Sequence, residues 1–69
     1  MEAIDYVLFS VKFPNGHGDL TWQIKGGNHD NYYIGMARKC FMDIIDCVSV
    51  TVYLDDCKVT FERMARNGN

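Results

Sequence analysis

One stretch of helical spacing, residues 28–46, stands between two pairs of alternating segments and limits what this chain can fold into more than any other feature. Within it Ile34, Ala37, Phe41, Ile44, Ile45 and Val48 recur at three- and four-residue steps and fall on one stripe of a 3.6-residue helix. Such a stripe is stable only when a sheet covers it. Upstream, Gly26 and Gly27 sustain a strand poorly, and Asn28, Asp30 or Asn31 can accept a hydrogen bond from the first free backbone N–H groups, so the helix is expected to begin there. At the other end Asp43 and Asp46 put negative charge beside the carbonyl end of the helix dipole, and no glycine stops the helix. The run Val48-Ser49-Val50-Thr51-Val52 stops it instead, because alternating β-branched residues suit a pleated surface.

The flanking segments read as two hairpins. Residues 4–13 place Val7, Phe9, Val11 and Phe13 on one face and Tyr6, Leu8, Ser10 and Lys12 on the other; in residues 19–25, Leu20, Trp22 and Ile24 share a face. Asn15-Gly16 between them is a strong hairpin signal, since both central residues of a mirror-image turn need positive φ. Closing there sets Val11 opposite Leu20, Phe9 opposite Trp22 and Lys12 opposite Asp19, whereas a longer loop pairing Phe13 with Leu20 keeps the same faces. Residues 48–54 and 57–63 read as the second hairpin about Asp55-Asp56, where a two-residue turn sets Val52 opposite Val59 and Val50 opposite Phe61. A longer, looser turn is the alternative, because Asp-Asp suits a mirror-image turn less well than Asn-Gly. Residues 64–69 are expected to fray.

The fold class is therefore α+β: a single ββαββ domain over residues 1–69, with a four-stranded antiparallel sheet in the order 2-1-3-4 and one helix packed on one face. The covered face collects Val7, Phe9, Val11, Leu20, Trp22, Ile24, Val50, Val52, Val59 and Phe61. The other face carries Tyr6, Leu8, Ser10, Lys12, Thr21, Gln23, Lys25, Ser49, Thr51, Tyr53, Lys58, Thr60 and Glu62, as a one-sided sheet should.

At 69 residues a single core supplies little stability without a staple or a partner, so self-association as a homodimer is expected. An apolar share of 48% excludes a disordered chain, and a formal charge of −2 works against a surface that holds polyphosphate. Neither a leader pattern nor an apolar run long enough to span a bilayer is present, which leads to the expectation of a soluble, cytoplasmic protein that does not engage a membrane. Cys40, Cys47 and Cys57 are an odd set outside any C-x-x-C pair, and they combine with His17 and His29 in no zinc spacing. They read as reduced, small, buried hydrophobes, with no metal and no cofactor.

No constellation for catalysis is visible, and an enzyme is not expected. Asp43 and Asp46 could meet Asp55 and Asp56 near the strand ends and suit a divalent cation, although a solvated acidic rim explains them as well. Gly26-Gly27-Asn28 could offer N–H groups to an anion but lacks every other residue of a phosphate loop. Two surfaces remain. Tyr6 and Tyr53 with Lys12, Lys25 and Lys58 share the open sheet face, where aromatic residues among lysines can stack single-stranded nucleic acid. On the helix, Tyr32, Met36, Lys39, Asp43 and Cys47 are expected to project away from the apolar stripe, flanked by Gly35 and Asp46, and tyrosine and methionine are enriched where proteins meet.

A compact, acidic chain of this size without catalytic motifs is similar, in size and style, to the small proteins with which phages and mobile elements block host machinery, anti-CRISPR inhibitors among them. That resemblance implies a non-enzymatic inhibitor or modulator that binds a larger protein; the contact residues expected from the outer helix face are Tyr32, Met36, Lys39, Asp43 and Asp46. The alternative is a single-strand-binding sheet, and a small enzyme is third.

Overall fold

The computed structural model describes residues 6–14, 18–55 and 57–63. Five elements follow in the order β1 (Tyr6–Lys12), β2 (Leu20–Lys25), α1 (Asp30–Asp43), β3 (Ser49–Tyr53) and β4 (Lys58–Glu62). The strands form one antiparallel sheet in the order β2-β1-β3-β4. This is the α+β arrangement that the alternation predicts. The expected turn residues Asn15, Gly16 and Asp56, and the tail at 64–69, lie outside the described residues.

Pairing follows the faces. Val11 lies opposite Leu20 and Phe9 opposite Trp22 in the first hairpin, so the shorter of the two expected registers is the one adopted. Val52 opposes Val59 and Val50 opposes Phe61 in the second. A slip of one residue in either pair would send every apolar side chain to the wrong face, which is why parity alone carries so much of the register. Phe9 and Trp22 stack across the strands with centroids 5.3 Å apart and planes 6° from parallel. Where the first hairpin closes, the Phe13 N–H donates to the Asp19 carboxylate at 2.9 Å, and Gly18 takes a φ of +85°, a conformation that side chains other than glycine's resist. On the opposite face the hydroxyls of Thr51 and Thr60 lie 2.9 Å apart, and Thr51 is buried by this pairing.

The buried core is Val7, Phe9, Val11, Val50 and Val52 from the central strands with Tyr33, Ala37 and Cys47 from α1 and the segment after it. Tyr33 was not part of the expected stripe. Its ring is buried and its hydroxyl accepts a bond from the Asn28 N–H at 3.0 Å while donating to the Lys25 carbonyl at 3.3 Å, so one side chain ties the end of β2 to the start of the helix. Between those points Gly27 turns the chain with a φ of +117°.

The helix is shorter at both ends than its spacing suggests. It begins at Asp30 with His29 at the N-cap, and no side chain caps it, in place of Asn28, Asp30 or Asn31. Asp30 instead sits in the first turn, where its charge favours the dipole. At the far end α1 stops at Asp43. Ile45, expected in the stripe, is 73% exposed, and Cys47, expected on the outer face, is buried, because neither belongs to the helix and the 3.6-residue period no longer governs them. Met36, also expected to project outward, is half-buried against the core.

Arg63, just past β4, supplies the missing cap. Its guanidinium donates to the Ile45 carbonyl at 2.8 Å and to the Phe41 carbonyl, and lies 4.0 Å from the centroid of the Phe41 ring. The same residue's N–H donates to the Val48 carbonyl at 3.0 Å. A cation from just past the sheet thus satisfies one carbonyl that the helix leaves open, that of Phe41, and a second, that of Ile45, in the segment after it.

The helix lies over β3 and β4, with Phe41 against Phe61 at 6.0 Å. Strand β2 lies outside that footprint. Leu20, expected in the covered face, is therefore 48% exposed, and Trp22 and Ile24 are only half-buried.

Candidate protein-binding surface

The outward face of α1 carries the residues left over after the core has been filled. Ala37 and Tyr33 point to the sheet, which turns Tyr32, Gly35, Arg38, Lys39, Met42 and Asp43 toward solvent. Tyr32 is 54% exposed and meets the Tyr33 ring edge-on at 5.2 Å. Met42 is 61% exposed. Gly35, Arg38, Lys39, Met42 and Asp43 line a shallow open depression.

Gly35 is the notable member of this set. A glycine in a helix interior costs about 1 kcal/mol against alanine, so an internal reason for it is to be looked for. Among the described residues the packing supplies none: a Cβ at Gly35 would meet nothing within 4 Å, and the residue does not have positive φ. The fold would accept a side chain there.

Charge surrounds the depression. Lys39 and Asp43 form an i,i+4 pair at 3.7 Å with both side chains well exposed, an arrangement that contributes little to stability. Just past the helix end, Ile45 and Asp46 are also exposed. Of the expected contact residues, Tyr32, Lys39, Asp43 and Asp46 are exposed; Met36 is turned inward, and Met42 and Ile45 provide the apolar surface it was expected to provide. Sequence spacing passed over Met42 because a methionine reads as core or surface with equal ease.

Cys40 lies beside this face on the core side. Its thiol pKa is raised, first by burial and then by the negative charge of Asp43 and by Cys47, with Lys39 opposing. All three cysteines are free. Cys47 is buried as expected, Cys40 is half-buried, and Cys57 is exposed at the start of β4, contrary to the expectation of burial.

The second expected surface divides in two. Tyr6 pairs with Lys25 and Tyr53 with Lys58, so these four residues gather at one end of the open sheet face. Lys12 sits in a row with Ser49 and Glu62 at the other end, about 20 Å from Tyr6 at 3.4 Å per residue. The Lys58 ammonium lies 5.9 Å from the centroid of the Tyr53 ring and occupies part of the face that a base would need.

The acidic groups do not converge either. Asp43 and Asp46 lie at the helix end that Arg63 ties to the last residues of β4, and Asp55 follows β3 at the opposite end of the sheet. The juxtaposition of Asp43 and Asp46 with Asp55 is thereby corrected. Among the described residues no group of three His, Cys, Asp or Glu side chains is placed to hold a metal ion, and no helix is long and apolar enough to cross a membrane. A small polar cleft beside Gly26, Gly27, Asn28 and Tyr33 also takes in Asp30 and Asp55, whose charge repels the anion that the glycines suggested.

Comparison with protein families, with curated proteins and with solved structures finds no match to this chain.

Proposed function

We propose that this protein is a non-enzymatic protein-binding module that uses the outward face of α1. The observation that carries the reading is Gly35, a helix-weakening residue whose absent side chain leaves room for no described neighbour, in the lining of an open depression that exposed Met42 shares. A partner's backbone or side chain seated close to the helix would account for it. Tyr32 and Ile45 add exposed apolar residues, and the face is mixed in charge. Arg38 and Lys39 stand beside Asp43, which pairs with Lys39, so that exposed Asp46 and Asp43 are the groups that a basic patch on a partner would meet first.

The target class that this suits is a larger protein with a basic surface, of the kind that nucleic-acid-handling host machinery presents. An inhibitor or modulator encoded by a phage or mobile element, anti-CRISPR inhibitors included, and acting in the host cytoplasm is the corresponding biological role. Small size, the −2 charge and the likeness in style support it.

Capture of partners from a nuclease-treated host lysate tests the reading, with wild-type protein run beside Gly35→Arg and Met42→Glu. A protein retained by wild type and lost with both variants is the expected result. Retention by all three, or retention of none, removes the reading.

A single-strand-binding sheet is the second reading, favoured by the adjacency of Tyr6, Lys25, Tyr53 and Lys58. It ranks lower because Lys58 covers Tyr53 and Lys12 stands apart with Glu62.

A further inference from the structure

Strand β2 is an edge of the sheet, and the direction of its main-chain groups follows from the ladder. The Leu54 N–H donates to the Cys57 carbonyl and the Arg63 N–H to the Val48 carbonyl, so even-numbered residues of β3 face β4. Odd-numbered residues of β3 then face β1, and the Lys12 carbonyl accepts from that side, as even-numbered residues of β1 must. Odd-numbered residues of β1 bond to even-numbered residues of β2. Among the described residues this leaves the N–H and C=O groups of Thr21 and Gln23 open along the outer edge.

The side chains of β2 are self-complementary about Trp22. Folding the strand back on a copy of itself around a two-fold axis at Trp22 pairs Thr21 with Gln23, Leu20 with Ile24 and Asp19 with Lys25, each twice. Only registers with an even residue sum bring open main-chain groups together. Of these, centring on Thr21 or on Gln23 loses the opposite charges, whereas centring on Trp22 keeps both ion pairs and matches both apolar pairs.

We propose that the protein forms a two-fold dimer by antiparallel pairing of β2 with β2 of a second copy, centred on Trp22, giving a continuous eight-stranded sheet. Thr21 and Gln23 exchange four main-chain hydrogen bonds across the axis. The Lys25 carbonyl already accepts one bond, from Tyr33, so the bonds at Thr21 and Gln23 carry the pairing. The two Trp22 residues face each other at a non-hydrogen-bonded position, where side chains come closest. Leu20, Trp22 and Ile24 of both copies then close the part of the apolar face that α1 does not reach.

The other edge is a poorer choice for the same operation. Strand β4 could also fold on a copy of itself about Thr60, with Lys58 against Glu62, but its apolar side is already occupied: Phe61 stacks on Phe41, and Arg63 straps the helix end beside it. No comparable apolar surface is left to cover. The outward face of α1 stays open in the β2-paired dimer, which presents the proposed partner surface twice.

Light scattering at tens of micromolar tests the dimer, with wild-type far-UV circular dichroism required of every variant used. The expected mass is twice 7.9 kDa. Lys25→Asp and Asp19→Lys each set like charges across the axis and are expected to weaken association at least tenfold. Because Asp19→Lys also removes the carboxylate that accepts the Phe13 N–H, the double exchange is compared with the single variants and is expected to associate at least threefold more tightly than either. Gln23→Pro removes an outward N–H and is expected to give a monomer, whereas Thr60→Pro at the other edge leaves the dimer intact. Should Gln23→Pro fail to fold, the charge series decides. A monomeric wild type overturns the proposal, as does a double exchange no better than the single ones, or a dimer that Thr60→Pro dissociates.

Discussion

The guanidinium of Arg63 donates to the Phe41 carbonyl while lying 4.0 Å from the centroid of that residue's ring, so one side chain closes the helix and packs on its last aromatic residue. The helix has no basic residue of its own in its last turn, and Asp43 stands there instead. The cap is therefore tertiary. It joins residues 22 positions apart and couples α1 to the end of β4.

Arg63→Ala is expected to lower stability by about 2 kcal/mol, the scale of hydrogen bonds from a charged donor together with a cation–π contact. Arg63→Lys should recover less than half, because an ammonium cannot place two donors on separate carbonyls and stack at the same time. Urea denaturation measures both. Arg63→Ala within 0.5 kcal/mol of wild type would mean that the helix end is held by packing alone.

Tyr33 holds the opposite end of α1. Tyr33→Phe keeps the buried ring and removes only the hydroxyl, leaving the Asn28 N–H and the Lys25 carbonyl without their partner. A loss of about 1 to 2 kcal/mol is expected. Hydrogen exchange at Asn28 should accelerate by more than the global loss alone would cause, because the bond removed is local.

These two anchors explain what the sequence conveys and what it withholds. Strand faces were legible because the two-residue period of Val7-Phe9-Val11 and Val50-Val52 leaves one assignment of faces, but parity admitted two registers for the first hairpin, and only the structure selects the one that sets Phe9 opposite Trp22. The helix ends were not. They depend on the hydroxyl of Tyr33 reaching back to Lys25 and on Arg63 arriving from another strand, and neither appears in a local pattern. Leu20 was assigned to the core from its alternation, and it is exposed because one helix over β3 and β4 is too narrow for four strands. For the candidate site, Tyr32, Lys39, Asp43 and Asp46 were legible as a solvent-facing group, but the meaning of Gly35 required knowing that nothing stands above it.

Gly35→Ala separates folding from binding at that position. Alanine is expected to stabilise the free protein by about 0.5 to 1 kcal/mol, since the site is open and the backbone is helical. Binding to a captured partner should weaken in the same variant. A stabilised protein that binds as well as wild type would leave Gly35 without a role.

The cysteines should react in an order set by exposure and charge. Cys57 is expected to alkylate first, Cys40 more slowly and Cys47 only on unfolding. Burial, Asp43 and Cys47 raise the Cys40 pKa, so its rate should climb at a higher pH than that of an ordinary thiol, and Asp43→Asn should move the climb downward. Mass spectrometry after timed alkylation reads each site. Equal rates at Cys40 and Cys57 near neutral pH would contradict the placement of Cys40.

The open sheet face decides between the two readings of function. If it stacks single strands, Tyr53→Ala should cost about 1 to 3 kcal/mol of binding, and affinity should fall steeply with salt as counterions are released. Lys58 already lies over the Tyr53 ring, however, and Lys12 shares its row with Glu62, so the face offers neither a bare platform nor a continuous positive track. Seven basic against nine acidic residues add no net field to draw in a polyanion. The expected outcome is no measurable binding of an oligonucleotide at physiological salt and no effect of Tyr53→Ala on partner capture. Charge reversal at Asp43 and Asp46 should instead slow association with the protein partner, since a rim of exposed carboxylates acts mainly on encounter. Micromolar or tighter oligonucleotide binding that Tyr53→Ala abolishes, with partner capture indifferent to reversal at Asp43 and Asp46, would move the functional surface from the helix to the sheet.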